Sequence, residues 1–481
     1  MGVLEKLEPK EVFHYFEELC SIPHPSYKEG QISDYCVRFA KERGLTVYQD
    51  DLKNVIIIKE ATPGYESVEP LVIQGHLDMV CEKEPNCTID FEKDGLELMI
   101  EGDYITAKGT TLGGDDGIAV AYVLAVLASD TIEHPKLEVI FTTAEEVGME
   151  GATGIDVSML EGRKLLNLDS EEEGYMLTSC AGGCGVECNL PVSWEEKTGT
   201  QIEIVVEGLL GGHSGVEIDK GRANSNLLMG RVLLEAEKTV KYAIVSIGGG
   251  TKDNAIPRET KARVIVAEGE EEALIQAVAE TASALTKEYS TSDPEIKIYA
   301  KAVGSGTAYV LTEEVAEKTL QLINHLPNGI QSMSADIEGL VETSLNLGVL
   351  ALTSEQLSMR YAVRSSVGTA KEFLKDKIAH LVAYMGGTIT CKGEYPAWEY
   401  KKDSVLREDM VRIYREMYGK EPVIQAIHAG LECGILAGKL EGLDAVSIGP
   451  DMIGVHTTEE KLSISSTKRV WEYILEVIKC K

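Results

Sequence analysis

The first third of the chain alternates between two apolar periodicities. Residues 12–19 carry the spacing of an amphipathic helix. The loop SIPHPSYKEG follows, and then a second helical stretch that ends near Gly44. NVIIIKE and PLVIQGH read as strands, as do LEVIFTT and KLLNLD further on. Between them DDGIAVAYVLAVLAS is apolar on nearly every face, which predicts a helix buried all round. Alternation of this kind predicts a mixed α/β layer, a largely parallel sheet flanked by helices.

From about residue 187 the texture changes. NAIPRETKARVIV, EEALIQAVAETASALTKEY and EIKIYAKAV read as strand, helix and strand. SEQLSMRYAVRSS, AKEFLKDKIAHLVAYM and GTITCKGEY repeat that order, with helical spacing at Leu374, Ile378, Leu381 and Met385. The expectation is an α+β domain of two related halves over 187–396. The last section returns to the first texture with PVIQAIHAGLECG, DAVSIGP and a terminal helix. Residues 1–186 and 397–481 are therefore expected to form one domain into which the middle is inserted.

Composition narrows the picture. A chain of 481 residues exceeds one comfortable core, in line with two domains. The net charge of −33 argues against a nucleic-acid partner, because nothing would neutralise a run of phosphates. No apolar run is long enough to span a bilayer, and the N-terminus lacks a signal-peptide pattern. A cytoplasmic protein with no membrane partner is expected, its ten cysteines reduced. In CAGGCGVEC, Cys180, Cys184 and Cys188 lack a local fourth ligand and the spacings of a zinc ribbon, so a Gly-rich loop between strands is expected there.

The candidate chemistry lies where strands end. Three apolar strands run directly into polar residues: His76 and Asp78, Glu145 and Glu146, and Asp169. In open α/β sheets, ligands gather beyond the carboxyl ends of the strands, so these side chains should share one rim. His76 and Asp78, at i and i+2, face the same side, an arrangement in which a carboxylate fixes the imidazole tautomer for metal binding. Asp115 and Asp116 open the buried helix, and His456 begins a polar segment ahead of the last one. Two histidines with several carboxylates suit Zn²⁺, Co²⁺ or Mn²⁺ better than Ca²⁺. A carboxylate bridging two ions, with one further glutamate free to move protons, would build a two-metal hydrolytic site. Residue chemistry alone does not separate Asp115 from Asp116 as the bridge.

The motifs GHLDMV, LGGDDGIA, TAEEVGMEGA, LNLDSEE and GVHTTEE, in this order, resemble those of the co-catalytic metallopeptidases related to aminoacylase and carboxypeptidase G. CAGG, GGHSG, DNAIPR, HAGLECG and the long middle section look most like the Xaa-His dipeptidase branch of that family. The resemblance implies two divalent ions per chain, zinc first, with cobalt or manganese as alternatives. His76, Asp115 and Asp169 would hold one, and Asp115, Glu146 and His456 the other. Asp78 would orient His76, while Glu145 would act as general base and then acid. The middle domain would be a lid, with His213 donating to the oxyanion and Asn254 and Arg364 contacting substrate, the arginine at a C-terminal carboxylate. The implied activity is hydrolysis of unblocked dipeptides, including Xaa-His peptides such as carnosine. A tripeptidase, an aminopeptidase or an N-acyl amino acid deacylase is the alternative. The double length of the middle section suggests that its halves mimic a lid-to-lid pairing, which leaves open a homodimer and the chain from which His213 acts.

Overall fold

The computed structural model describes residues 2–481, which divide into two compact units. One is drawn from both ends of the chain: residues up to Cys180, Tyr400–Ala426 and Leu431–Lys481. The other comprises Ala181–Glu399 and Ile427–Gly430.

The first unit is built on an eight-stranded mixed sheet. Leu137–Thr142, Leu71–His76, Lys164–Asn167 and Asp444–Ser447 lie side by side at its centre and run parallel. Thr46–Gln49 and Val55–Lys59 add antiparallel strands at one edge. Tyr175–Cys180 pairs antiparallel on the far side, with Val423–Ile427 beyond it. The parallel strands are apolar without alternation because both faces are covered; Leu71–His76 and Leu137–Thr142 are buried at every position. On one face lies the helix Gly114–Ala128, buried from Gly114 to Leu127 between Leu71–His76 and the N-terminal helix Lys10–Cys20. A small four-stranded sheet completes the unit: Met452–Ile453, Lys461–Ser463, Tyr104–Ala107 and Leu98–Glu101.

Register decides what shares the rim. His76 stands opposite Thr142, and Gln74 opposite both Ile140 and Asn167. The central strands therefore end together, and the residues just beyond them emerge at one place.

The second unit carries a nine-stranded antiparallel sheet with its own apolar core. Its strand order shows the two related halves. One half runs Lys297–Leu311, Trp194–Glu207, Thr260–Val266, Tyr242–Gly249. The other runs Thr388–Tyr395, Gly182–Pro191, Gln356–Ser365, Val341–Leu352, with Gly329–Met333 paired to the last as the ninth strand. The halves meet where Gly248 and Gly249 pair with Ala351 and Leu350. Each strand–helix–strand repeat read from the sequence is present, but an earlier strand is inserted between its two strands. CAGGCGVEC is strand rather than loop. Cys180 closes Tyr175–Cys180, and Cys184 and Cys188 alternate with half-buried neighbours on the core face of Gly182–Pro191. The glycines concealed that period of two.

Candidate metal centre

Five segments of the first unit bring the predicted ligands together. His76 ends its strand, Glu145 and Glu146 follow Thr142 by three and four residues, and Asp169 follows Asn167 by two. Asp115 and Asp116 occupy the entry turn of the buried helix, where both are non-helical and joined by a cis peptide. His456 comes from the loop between two strands of the small sheet, with a left-handed φ of 64°.

Asp115 lies between the two histidines. Its Oδ1 is 2.9 Å from His76 Nε2, and its Oδ2 is 3.2 Å from His456 Nε2. His456 Nε2 is also 2.9 Å from Glu146 Oε2, and Asp169 Oδ1 is 3.9 Å from His76 Nε2. Asp115, Glu146 and His456 present donor atoms within 4.8 Å of one another, as do His76, Asp116 and Asp169, and His76, Glu145 and Glu146. Imidazole nitrogens converging with hard oxygens are the donor set of a divalent transition ion, and the residues present fit such ions.

The charge balance describes a site arranged for cations. Burial opposes protonation of His76, but its bonds to Asp115 and Asp78 outweigh that and hold it well above its ordinary value. The bonds from Asp115 and then Glu146 raise His456 to about 10. Burial pushes Asp115 up, yet the two histidines prevail and hold it below the carboxylate range. Burial, then the charges of Asp116 and Asp115, lifts Asp169 well above its ordinary value. Burial is also the main reason that Glu145 and Glu171 rise to about 7.

A pH dependence follows for metal-free protein. Glutamates with raised folded values bind more protons folded than unfolded, so their contribution is lost as pH climbs from about 4.5 through about 7. The contribution of His456 is present below 6.5 and is lost toward about 10. All of these carry the same sign between pH 5 and 8. The histidines lowered by burial, His428 and His213 among them, oppose this below 6.5, so chelator-treated protein should melt lower at pH 8 than at pH 6.5. Added divalent metal should raise the melting temperature more at pH 8, because its ligands must shed protons to bind. Melting scans with and without metal at the two pH values check both statements.

Carboxylates around the ligands shape the turns. Asp78 supports more than His76. The imidazole Nδ1 is 3.0 Å from the Asp78 carbonyl oxygen and 3.6 Å from its carboxylate. That carboxylate also accepts from Glu145 N at 3.0 Å, Glu146 N at 3.3 Å and Ser26 Oγ at 2.8 Å. Glu29 accepts from Ala144 N at 2.9 Å, where the backbone turns left-handed with φ 51°. Beneath the rim, Glu432 accepts from Gln74 Nε2 and Thr142 Oγ1, both at 2.5 Å, and burial lifts it to about 8. Asp116 Oδ2 accepts from His76 N at 3.0 Å, and its Oδ1 is buried without a partner among the described residues. Only glycine fits at position 75 below that carboxylate, since a Cβ there would lie 2.6 Å from Asp116 Oδ2 and 2.8 Å from the Ala119 Cβ. Gly75→Ala should destabilise the fold by about 1–3 kcal/mol, as overpacking does, read as a drop in denaturant midpoint.

The remaining predicted residues lie in the second unit. His213 sits in a two-residue strand opposite Ala255, and Ser214 N donates to the Asn254 carbonyl at 2.9 Å. The imidazole Nδ1 accepts from Gly215 N and Val216 N, each at 3.2 Å. Burial, and then the charge of Arg364, lowers its proton affinity. His213 is thus a neutral ring with its proton on Nε2. Arg364 Nη1 donates to Tyr395 Oη at 2.9 Å, while its Nε is buried without a partner. His428, part of HAGLECG and given no role in the sequence reading, joins this group. Its Nε2 is 2.7 Å from Ser344 Oγ, and burial, then Arg364, lowers it to about 4.

An α/β unit whose central strands end in histidines and carboxylates disposed for divalent ions has the architecture of a metal-dependent hydrolase. The family model described as peptidase family M20/M25/M40 matches residues 72–479, and the chain belongs to that family. It is a metallopeptidase. Over all 481 residues it is 36% identical to the cytosol non-specific dipeptidase of Escherichia coli, covering 99% of that protein. The aminoacylhistidine dipeptidase of Vibrio alginolyticus superposes with a TM-score of 0.93 at 35% identity, over 99% of this chain and 97% of that one. A tripeptidase of Staphylococcus aureus shares the fold, with a TM-score of 0.55 at 15% identity over 98% of each chain. Among the described residues, no helix is long and apolar enough to cross a membrane.

Proposed function

We propose that this chain is a cytoplasmic dipeptidase that hydrolyses unblocked dipeptides, Xaa-His peptides such as carnosine among them, with two divalent ions, zinc first. The observation that carries the chemistry is Asp115, with one carboxylate oxygen turned to each histidine. Support for the dipeptide substrate comes from the 36% identity to a dipeptidase along the whole of both chains.

Two ions held by His76, Asp115 and Asp169 and by Asp115, Glu146 and His456 would supply an acidified water and a polarised carbonyl. The chain's own residues do the rest. Asp78 holds His76 by its Nδ1 side and fixes the backbone of Glu145 and Glu146. The Glu145 carboxylate takes the proton of the attacking water and returns it to the leaving amine. His213, of this chain or of a second copy, is neutral and protonated on Nε2 and donates to the oxyanion. Arg364 matches a substrate carboxylate with its planar fork, and Asn254, whose carbonyl accepts from Ser214 N, contacts the substrate as well.

The test is a panel of β-Ala-His, Ala-His, Ala-Ala, a tripeptide and N-acetyl-Ala, with metal-stripped protein and zinc titrated back. Cleavage of the free dipeptides alone, with activity saturating at two ions per chain, is the expected result. Cleavage confined to the acetylated or longer substrate overturns the dipeptide assignment.

A further inference from the structure

Glu460 is a buried glutamate that the reaction does not use. It is 2% exposed and, among the described residues, has no cationic partner. Its carboxylate faces three backbone N–H groups of the turn ahead of Asp115. Oε2 accepts from Leu112 N at 2.7 Å and Gly113 N at 3.1 Å, and Oε1 accepts from Gly114 N at 2.8 Å. These are the donors that the start of the buried helix leaves unpaired. The turn is already constrained at Gly113, whose φ is +67° and where a Cβ would lie 2.9 Å from the Met79 sulfur.

The other end of Glu460 is anchored as well. Its carbonyl accepts from Thr106 Oγ1 at 2.9 Å, and the next residue opens the strand Lys461–Ser463, in register with Tyr104–Ala107. Four residues upstream stands His456, in the same loop. One side chain therefore connects the loop that carries His456 to the turn that carries Asp115, the two residues that meet at 3.2 Å. A carboxylate that only capped a helix would have no reason to come from that loop.

We propose that Glu460 is a positioning residue that holds Asp115 and His456 in mutual register for one of the two metal ions. This rests on the two-ion reading above. Two of the three ligands at one ion, Asp115 and His456, depend on the brace, whereas at the other only Asp115 does. Loss of the brace should therefore weaken the two ions unequally.

The experiment is a metal titration by calorimetry, with melting curves of the metal-free forms and steady-state kinetics, on wild type, Glu460→Gln and Glu460→Asp. Glutamine keeps the shape but places an NH₂ against a backbone N–H. Aspartate keeps the charge but is one methylene short. In Glu460→Gln, one ion should bind about 10- to 100-fold more weakly and the other within about threefold of wild type, the range for residues that support ligands. The same substitution should lower kcat with KM little changed. Glu460→Asp should show the same selective loss, smaller in size. A lower melting temperature with both ions bound as in wild type would make Glu460 a helix cap and nothing more, and equal weakening of both ions would also overturn the proposal. Wild type that binds fewer than two ions overturns the two-ion reading itself, an outcome separate from any behaviour of the variants.

Discussion

Glu145→Gln should take up both metal ions as wild type does, yet hydrolyse dipeptides about 10²- to 10⁴-fold more slowly, the range for loss of a general acid–base. In the proposed reaction the two adjacent glutamates divide the work. Glu146 faces His456 at 2.9 Å and belongs to the cluster that includes Asp115. Glu145 is lifted to about 7, first by burial and then by the surrounding carboxylates, with His76 opposing. A group of that proton affinity exchanges protons near neutral pH in either direction, which a shuttle from water to amine requires. Glutamine keeps the volume and leaves the Asp78 bonds to both backbone amides in place, so the geometry should survive. Calorimetry and kcat on one preparation check this. Wild-type turnover would remove Glu145 from the chemistry, and loss of an ion would make it a ligand instead.

What the sequence disclosed follows from periodicity, and what it concealed follows from its absence. Unbroken apolar runs that end in polar residues are properties of a few consecutive positions, so the rim was legible: His76, Glu145, Glu146 and Asp169 emerge where the central strands stop. The same reasoning placed Asp78 beside His76 but missed its second duty, because the amides that it accepts from lie 67 and 68 residues downstream. Glu29, Glu432 and Glu460 are three acidic residues among many in a chain of charge −33; the last two lie within HAGLECG and GVHTTEE, where no role was read for them. Only tertiary placement distinguishes them from solvated ones, since nothing periodic marks a glutamate whose partners lie far along the chain. Strand pairing was hidden for the same reason. The repeats of the second unit were visible as strand, helix and strand, whereas the insertion of Trp194–Glu207 and Gly182–Pro191 between their strands was not.

The adjacent aspartates yield the second large effect, because the residues alone left them equivalent while their partners differ: Asp115 shares a cluster with Glu146 and His456, and Asp116 shares one with His76 and Asp169. Asp115→Asn should lose more than about 100-fold in affinity for both ions, beyond what residues that merely support a ligand contribute, and activity should fall with it. Asp115 offers an oxygen to each histidine and is held below the carboxylate range by them, so it is charged and faces both sides. Asp116 is pushed well above its ordinary value, first by burial, and its Oδ2 serves the amide of His76. An amide oxygen can accept that bond as well as a carboxyl can, so Asp116→Asn should keep both ions with affinities within about tenfold. A readout without metal separates the pair independently. The bond from Asp115 is the main reason that His456 stands at about 10. In metal-free Asp115→Asn its imidazole should titrate closer to the ordinary histidine value, and in Asp116→Asn it should not. If NMR titration and metal uptake gave the opposite order, Asp116 would hold the place between the ions, and Asp115 would be the partner of the histidines alone.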